Sequence, residues 1–213
     1  MEKIILEWSG LVIMEPTALL TNWLIAVQCL YYFFKLKSIP KKTSSFHSWT
    51  SFFFLFGAST FFGGLSHFFF HYLELSGKIP GWSLAVLSIT LLELAVFHSS
   101  QTQKKYWRIF IWLQTSIIYL LMIWNFKFFW VTIQTVIGLV LVLGIYSTRK
   151  VIMGSKEWKG YLIGIGWMIA SVPVVIFKFN LSIWFNAHDL SHLFMMLCLY
   201  QFYHTTVRLH NPV

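Results

Sequence analysis

Apolar residues fall into seven stretches along the chain, roughly 16–35, 49–72, 82–99, 108–125, 128–147, 161–178 and 185–206, separated by short polar or basic segments. Each stretch is close to the ~20 residues that cover ~30 Å of hydrocarbon at 1.5 Å per residue. Lipid offers backbone groups no hydrogen-bond partner, so a helix, which satisfies its own, is the expected form of each. The pattern predicts an all-α polytopic membrane protein, a seven transmembrane helix bundle filling residues 1–213 as a single domain. No repeat, low-complexity tail or interdomain linker interrupts it. The segment before the first stretch carries Glu2 and Glu7 and lacks a small-residue cleavage site, so it does not read as a removable signal peptide.

Composition supports this pattern. Hydrophobic residues make up 57% and charged residues 11%, with a mean hydropathy of +0.68, against about 25% charged residues in a soluble domain. Aromatics reach 20%, which suits lipid-facing surfaces and interfacial belts. A net charge of +9 in a soluble chain would suggest nucleic acid. Here the cations sit in short loops between apolar runs, which excludes that partner and points to membrane lipids. Cys29 and Cys198 both lie inside apolar runs and carry little information about redox compartment.

The same cations give an orientation, because Lys and Arg accumulate on the cytoplasmic side. Lys35, Lys37, Lys41, Lys42, Lys104, Lys105, Arg108, Arg149, Lys150, Lys156, Lys159 and Arg208 fall on one side, twelve in all, against four on the other, Lys3, Lys78, Lys127 and Lys178. The split places the N-terminus outside and the C-terminus in the cytoplasm. The expected localisation is that of an integral multi-pass membrane protein, in the plasma (inner) membrane if bacterial and in an endomembrane if eukaryotic.

Ionisable groups at membrane depth are costly and point to function. Helix 2 runs outward, which puts His67 and His71 near its outer end. Helix 7 starts outside, which puts His188, Asp189 and His192 at that level, and Glu15 of Glu15-Pro16-Thr17 enters helix 1 there. His188 and His192 are spaced i, i+4 on one helix face, with Ser191 and Met195 beside them, and His67 and His71 have the same spacing. Gly63 and Gly64, one turn before His67, are expected to let a neighbouring helix approach and to bring a helix-2 His near helix 7. Three His plus a water is an arrangement of catalytic zinc, which lowers the pKa of that water to about 7 and arms it against an ester or amide carbonyl. Interfacial His with wet rings, or a haem held from two helices, are the other readings. A di-iron desaturase needs more His boxes than this layer holds.

The remaining polar groups are placed in the same way. Glu93 lies ~18 Å below the outer face of helix 3, too deep to join the His layer. It lines a cavity or proton path, or pairs with Gln114 or Gln134. Thr21 and Asn22 either hold Glu15 or pack polar against helix 7. His98, His204 and His210 are inner-side interfacial residues and His47 is a loop residue.

Seven helices, His67 in Gly63-Gly64-Leu65-Ser66-His67, and His188 and His192 in Asn186-Ala187-His188-Asp189-Leu190-Ser191-His192 resemble the superfamily of alkaline ceramidases and adiponectin/progestin-type receptors. The Glu-Pro-Thr opening of helix 1 and the Gly-Gly-x-x-His of helix 2 look closer to uncharacterised bacterial members of that clan. The resemblance is topological over the whole chain, and its motifs are short. It implies zinc held by three His and hydrolysis of amide or ester bonds in lipids, with His67, His188 and His192 as ligands. The sequence departs from the superfamily in having Gly63 where a Ser precedes the helix-2 His by four residues, although Ser66 is adjacent. It also has no acid in helix 3 before Glu93, and its sole Asp is Asp189. Glu15 or Asp189 is therefore expected to activate water, with Ser66 as a further catalytic candidate. His71 is expected to serve as an alternative metal ligand or to tune the site. The expected function is a zinc-dependent intramembrane hydrolase of a lipid amide or ester. The alternative is a receptor, sensor or ion- or proton-conducting protein with a sensing or structural metal.

Overall fold

The computed structural model describes residues 4–40, 43–100 and 105–210. Of the cations used for orientation, Lys3, Lys41, Lys42 and Lys104 lie outside the described residues. The architecture is helical: α1 (Pro16–Lys37), α2 (Ser44–Phe68), α3 (Ile79–Ser99), α4 (Lys105–Asn125), α5 (Phe129–Ile152), α6 (Lys159–Ile176) and α7 (Ala187–His210). Each apolar stretch thus yields one helix of at least 18 residues. Of these, α1, α3, α4, α5 and α6 are long and apolar enough to cross a membrane. α2 and α7, of 25 and 24 residues, are as long but more polar: α2 is rich in Ser and Thr, and α7 carries His188, Asp189, His192 and His204.

The largest departure from the expected pattern lies before α1. Residues Ile5–Trp8 (β1) and Leu11–Met14 (β2) pair antiparallel, with Ile5 opposite Met14 and Trp8 opposite Leu11. Ser9 and Gly10 both take positive φ, 50° and 80°, which is the geometry of a two-residue hairpin turn. Val12 N donates to the Tyr72 hydroxyl at 2.9 Å and ties the hairpin to the helical turn Phe70–Leu73 beyond α2. β2 leads directly into Pro16, whose missing N–H costs nothing at the first position of a helix.

α1 packs between α2 and α7, α3 packs on α2, α4 and α5, and α6 packs on α7. Small residues set these approaches. A Cβ on Gly57 of α2 would stand 2.9 Å from Cys29 Cβ, and one on Gly64 would stand 3.1 Å from Trp23 Cδ1 and 3.2 Å from Asn22 Cβ. A Cβ on Gly81 of α3 would stand 3.2 Å from Gly63 N. The helices admitted by Gly63 and Gly64 are therefore α3 and α1, not α7, which corrects the sequence expectation. In lipid such close contact replaces the hydrophobic effect as the source of association. The opposite end of the bundle is filled by rings: Trp49 stacks on Tyr161 at 4.9 Å between centroids, Tyr32 on Tyr203 at 4.2 Å, and Phe202 abuts Trp49 edge-on. Pairs of this kind contribute about 0.5–1.5 kcal/mol beyond area burial.

Candidate functional site

The site forms where β2 turns into α1, where α2 ends and where α7 begins. Glu15 sits at the β2–α1 junction in a left-handed backbone conformation, φ 46° and ψ 56°. This is rare for a residue with a Cβ and costs on the order of 1–3 kcal/mol. Its backbone caps α1: the Glu15 carbonyl accepts from Ala18 N at 3.0 Å. The side chain makes no cap bond and instead accepts from His67 Nδ1 at 2.8 Å. The two side chains are 20% and 34% exposed, so this pair opens toward the surface.

α7 is opened by a reciprocal cap. Asn186 Oδ1 accepts from His188 N at 2.8 Å and Asp189 N at 3.3 Å, while Asp189 Oδ2 accepts from Asn186 N at 3.1 Å. This is the logic of a capping box, in which side chains of the cap and third residues satisfy each other's orphan N–H groups. Asp189 is fully buried, and its other oxygen, Oδ1, accepts from Thr21 Oγ1 of α1 at 3.2 Å. Thr21 Oγ1 also meets His192 Nδ1 at 2.7 Å.

A hydroxyl has one proton to give. With that proton on Asp189, the Thr21 oxygen accepts from His192 Nδ1–H. His67 likewise uses Nδ1–H on the Glu15 carboxylate. Both rings then carry their lone pair at Nε2. Fixing a histidine through its Nδ1 so that Nε2 is presented is what outer hydrogen-bond partners do at metal centres. The two hydrogen-bonded sets, Glu15 with His67 and Thr21 with Asp189 and His192, are joined through the start of α1.

Other expected members stand apart. His71 is not on the face of His67: α2 ends at Phe68, the chain breaks direction at Phe69, and the exposed His71 ring lies edge-on to Tyr72. The i, i+4 argument fails there because the helix does not extend across the pair. Ser66 is buried with its hydroxyl donated to Gly63 O at 2.7 Å, a bond within its own helix. Asp189, with both oxygens engaged, holds the cap and Thr21. His188 is exposed. Among the described residues no three His, Cys, Asp or Glu side chains are grouped as a metal ion would require. Asn22 donates to Ala18 O at 2.7 Å, so of Thr21 and Asn22 only Thr21 reaches α7; further along α1, Gln28 Nε2 donates to Met196 O of α7 at 3.0 Å. Thr21 and Asn186 were the residues sequence reasoning undervalued, although Asn186-x-x-Asp189 is a legible capping signature.

Glu93 pairs as one of its expected alternatives had it. Gln114 Nε2 donates to Glu93 Oε1 at 3.1 Å and to Gln134 Oε1 at 3.3 Å.

Residues 17–211 match the model of a family described as a family of unknown function, DUF6962. The chain belongs to the DUF6962 family. The match takes in Thr21, His67, His188, Asp189 and His192 and begins two residues after Glu15. No curated protein and no solved structure matches the chain. For this DUF6962 chain the chemistry is therefore argued from its own side chains: two imidazoles pinned at Nδ1, a half-buried carboxylate beside one of them, and a buried carboxylate that fixes the scaffold of the other.

Proposed function

We propose that this DUF6962 chain is a metal-dependent, specifically zinc-dependent, membrane hydrolase of lipid amide or ester bonds. The observation that carries the reading is the pinning of His67 by Glu15 and of His192 by Thr21, which leaves the Nε2 of each ring as a donor. The donor chemistry fits zinc, whose nitrogen ligands are neutral imidazoles. His67 and His192 would hold the ion, with His188, on the same α7 face as His192, as the third ligand. The chemistry such an ion supplies is Lewis acidity toward a carbonyl and acidification of water. Glu15 orients His67 and is the carboxylate with access to the surface, so it is assigned the proton-accepting role. Asp189 is assigned positioning of α7 and Thr21. All seven helices are taken to cross the membrane with the N-terminus outside, in line with the charge split. Glu15, His67 and His188 then face the outer lipid headgroups, where amide and ester linkages lie.

The test is hydrolysis of two fluorogenic probes of equal acyl length, one an amide-linked and one an ester-linked lipid, by the full chain in detergent micelles. Turnover of either probe that is removed by a chelator, restored by zinc and lost in Glu15→Gln is expected. Retained turnover in the Glu15→Gln, His67→Ala pair of variants contradicts the assignment.

The second reading is a receptor, sensor or conducting protein in which the same layer binds metal without chemistry. It is favoured by the engagement of both carboxylates, Asp189 with the α7 cap and Thr21, and Glu15 with His67. Zinc bound at the wild-type level in Glu15→Gln, with neither probe turned over by any form, selects it.

A further inference from the structure

A second polar centre lies between α3, α4 and α5, well away from the His layer in sequence and environment. Glu93 of α3 is fully buried, and so is Gln134 of α5. Glu93 Oε1 accepts from Gln114 Nε2 at 3.1 Å and from Gln134 Nε2 at 3.4 Å, and Gln114 also donates to Gln134 Oε1 at 3.3 Å. The two carboxyl oxygens are thus unequal: Oε1 takes two N–H donors, and Oε2 is buried with no hydrogen-bond partner.

Among the described residues the surroundings supply no counter-charge. On α2 the ionisable groups are His47 and His67 near its two ends; on α3 itself the nearest is His98. On α4, Lys105, Tyr106 and Arg108 crowd the first turn and Tyr119 is exposed. On α5, Tyr146, Arg149 and Lys150 occupy the far end, more than two turns past Gln134. Among the described residues, the hydrogen bonds to Glu93 come from the Gln114 and Gln134 amides. The site is also shaped. A Cβ on Gly138 would collide with the Ile89 side chain and stand 3.4 Å from Glu93 Oε1. The glycine therefore lets α5 close over the carboxyl. Directly after Gln134 and Thr135, residues Val136–Gly144 of α5 open from α to π geometry. Such widening is rare and frequently found at functional sites.

An ionised carboxylate accepts at both oxygens, whereas a carboxylic acid accepts at its carbonyl oxygen and carries a proton on the other. The amides mark Oε1 as the carbonyl-like oxygen. A bare carboxylate oxygen in an uncharged, dry setting is strongly disfavoured, and protonation relieves it. We propose that Glu93 Oε2 is a proton-binding site of this protein. The proton is taken up and released at Oε2 while Gln114 and Gln134 hold Oε1. This centre is independent of the hydrolytic assignment, and the test below does not involve the His layer.

The test is infrared difference spectroscopy of the purified full chain in lipid vesicles, from about pH 4, where ordinary carboxyls titrate, to about pH 9, well above that range. A carbonyl band of a protonated carboxylic acid is expected at low pH. It should shift on exchange into deuterium oxide, bleach as pH rises, vanish in Glu93→Gln, and be indifferent to replacing sodium by choline. Because Glu93→Gln could misfold, wild-type protein is also treated with a hydrophobic carbodiimide, which adds to protonated carboxyls in apolar surroundings. The adduct is expected on the peptide containing Glu93 and should be lost as pH rises. A band that survives in folded Glu93→Gln, a band that never bleaches, its suppression by sodium, or no adduct at Glu93 at any pH overturns the proposal.

Discussion

The molecule buries acid in two ways. At the junction of β2, α1, α2 and α7, Glu15 pairs with the His67 imidazole and Asp189 with Thr21, which itself meets the His192 imidazole, and part of the cluster is open: His67 is 34% and Glu15 20% exposed. Between α3, α4 and α5, Glu93 is sealed and meets only amides. The helices follow the same division. α2 and α7, which carry the His layer, are the two long helices too polar to qualify as spans by composition, while α3, α4 and α5, which carry Glu93, qualify readily. An open site with ring nitrogens can act on a molecule that arrives from outside. A closed site with one carboxyl can exchange only something as small as a proton.

Variants can break this contrast or sharpen it. The largest effect is expected from His67→Ala combined with His192→Ala, which removes both pinned donors: zinc affinity should fall by on the order of a hundredfold or more, read as metal retained after dialysis. Glu15→Gln keeps shape but loses the carboxylate that fixes His67, and about a 10–100-fold loss of zinc affinity is expected by competition with a chromogenic chelator. Thr21→Val removes the hydroxyl between Asp189 and His192. It leaves a buried carboxylate oxygen unmet, for a loss of about 1–3 kcal/mol in thermal stability, together with weaker zinc binding. The smallest effect is expected from His71→Ala, within about twofold in zinc affinity, because its exposed ring belongs to a separate turn. If His71→Ala matched His67→Ala, the division between the pinned pair and its neighbours would fail.

Much of this was legible in the sequence. The helical, membrane-spanning character was legible, and five of the apolar stretches gave helices long and apolar enough to cross a membrane, because hydrophobic length is a property of the local chain. The layer holding Glu15, His67, His188, Asp189 and His192 was legible for a related reason: depth along a helix follows from residue count. Lateral relations did not follow. Which helix Gly64 admits depends on bundle packing, and the answer was α1. Whether His71 shares a face with His67 depends on α2 continuing past Phe68, which a local run of aromatics does not decide. Asp189 looked like a candidate base because a carboxylate beside two His suggests chemistry. Asn186 three residues earlier claims one of its oxygens for a cap, and Thr21, remote in sequence, claims the other. The hairpin at residues 5–14 was missed because its strands, four residues each, are too short to give a pattern against an apolar background.

The most direct measurement of the central assignment is the zinc content of purified full-length protein by native mass spectrometry, wild type beside His67→Ala and His192→Ala. One zinc per chain in the wild type, lost in each variant with the helical fold retained, is the expected result. A wild type that takes up no zinc when supplied with it, or variants that keep it at wild-type occupancy, would contradict a metal site built on the pinned histidines.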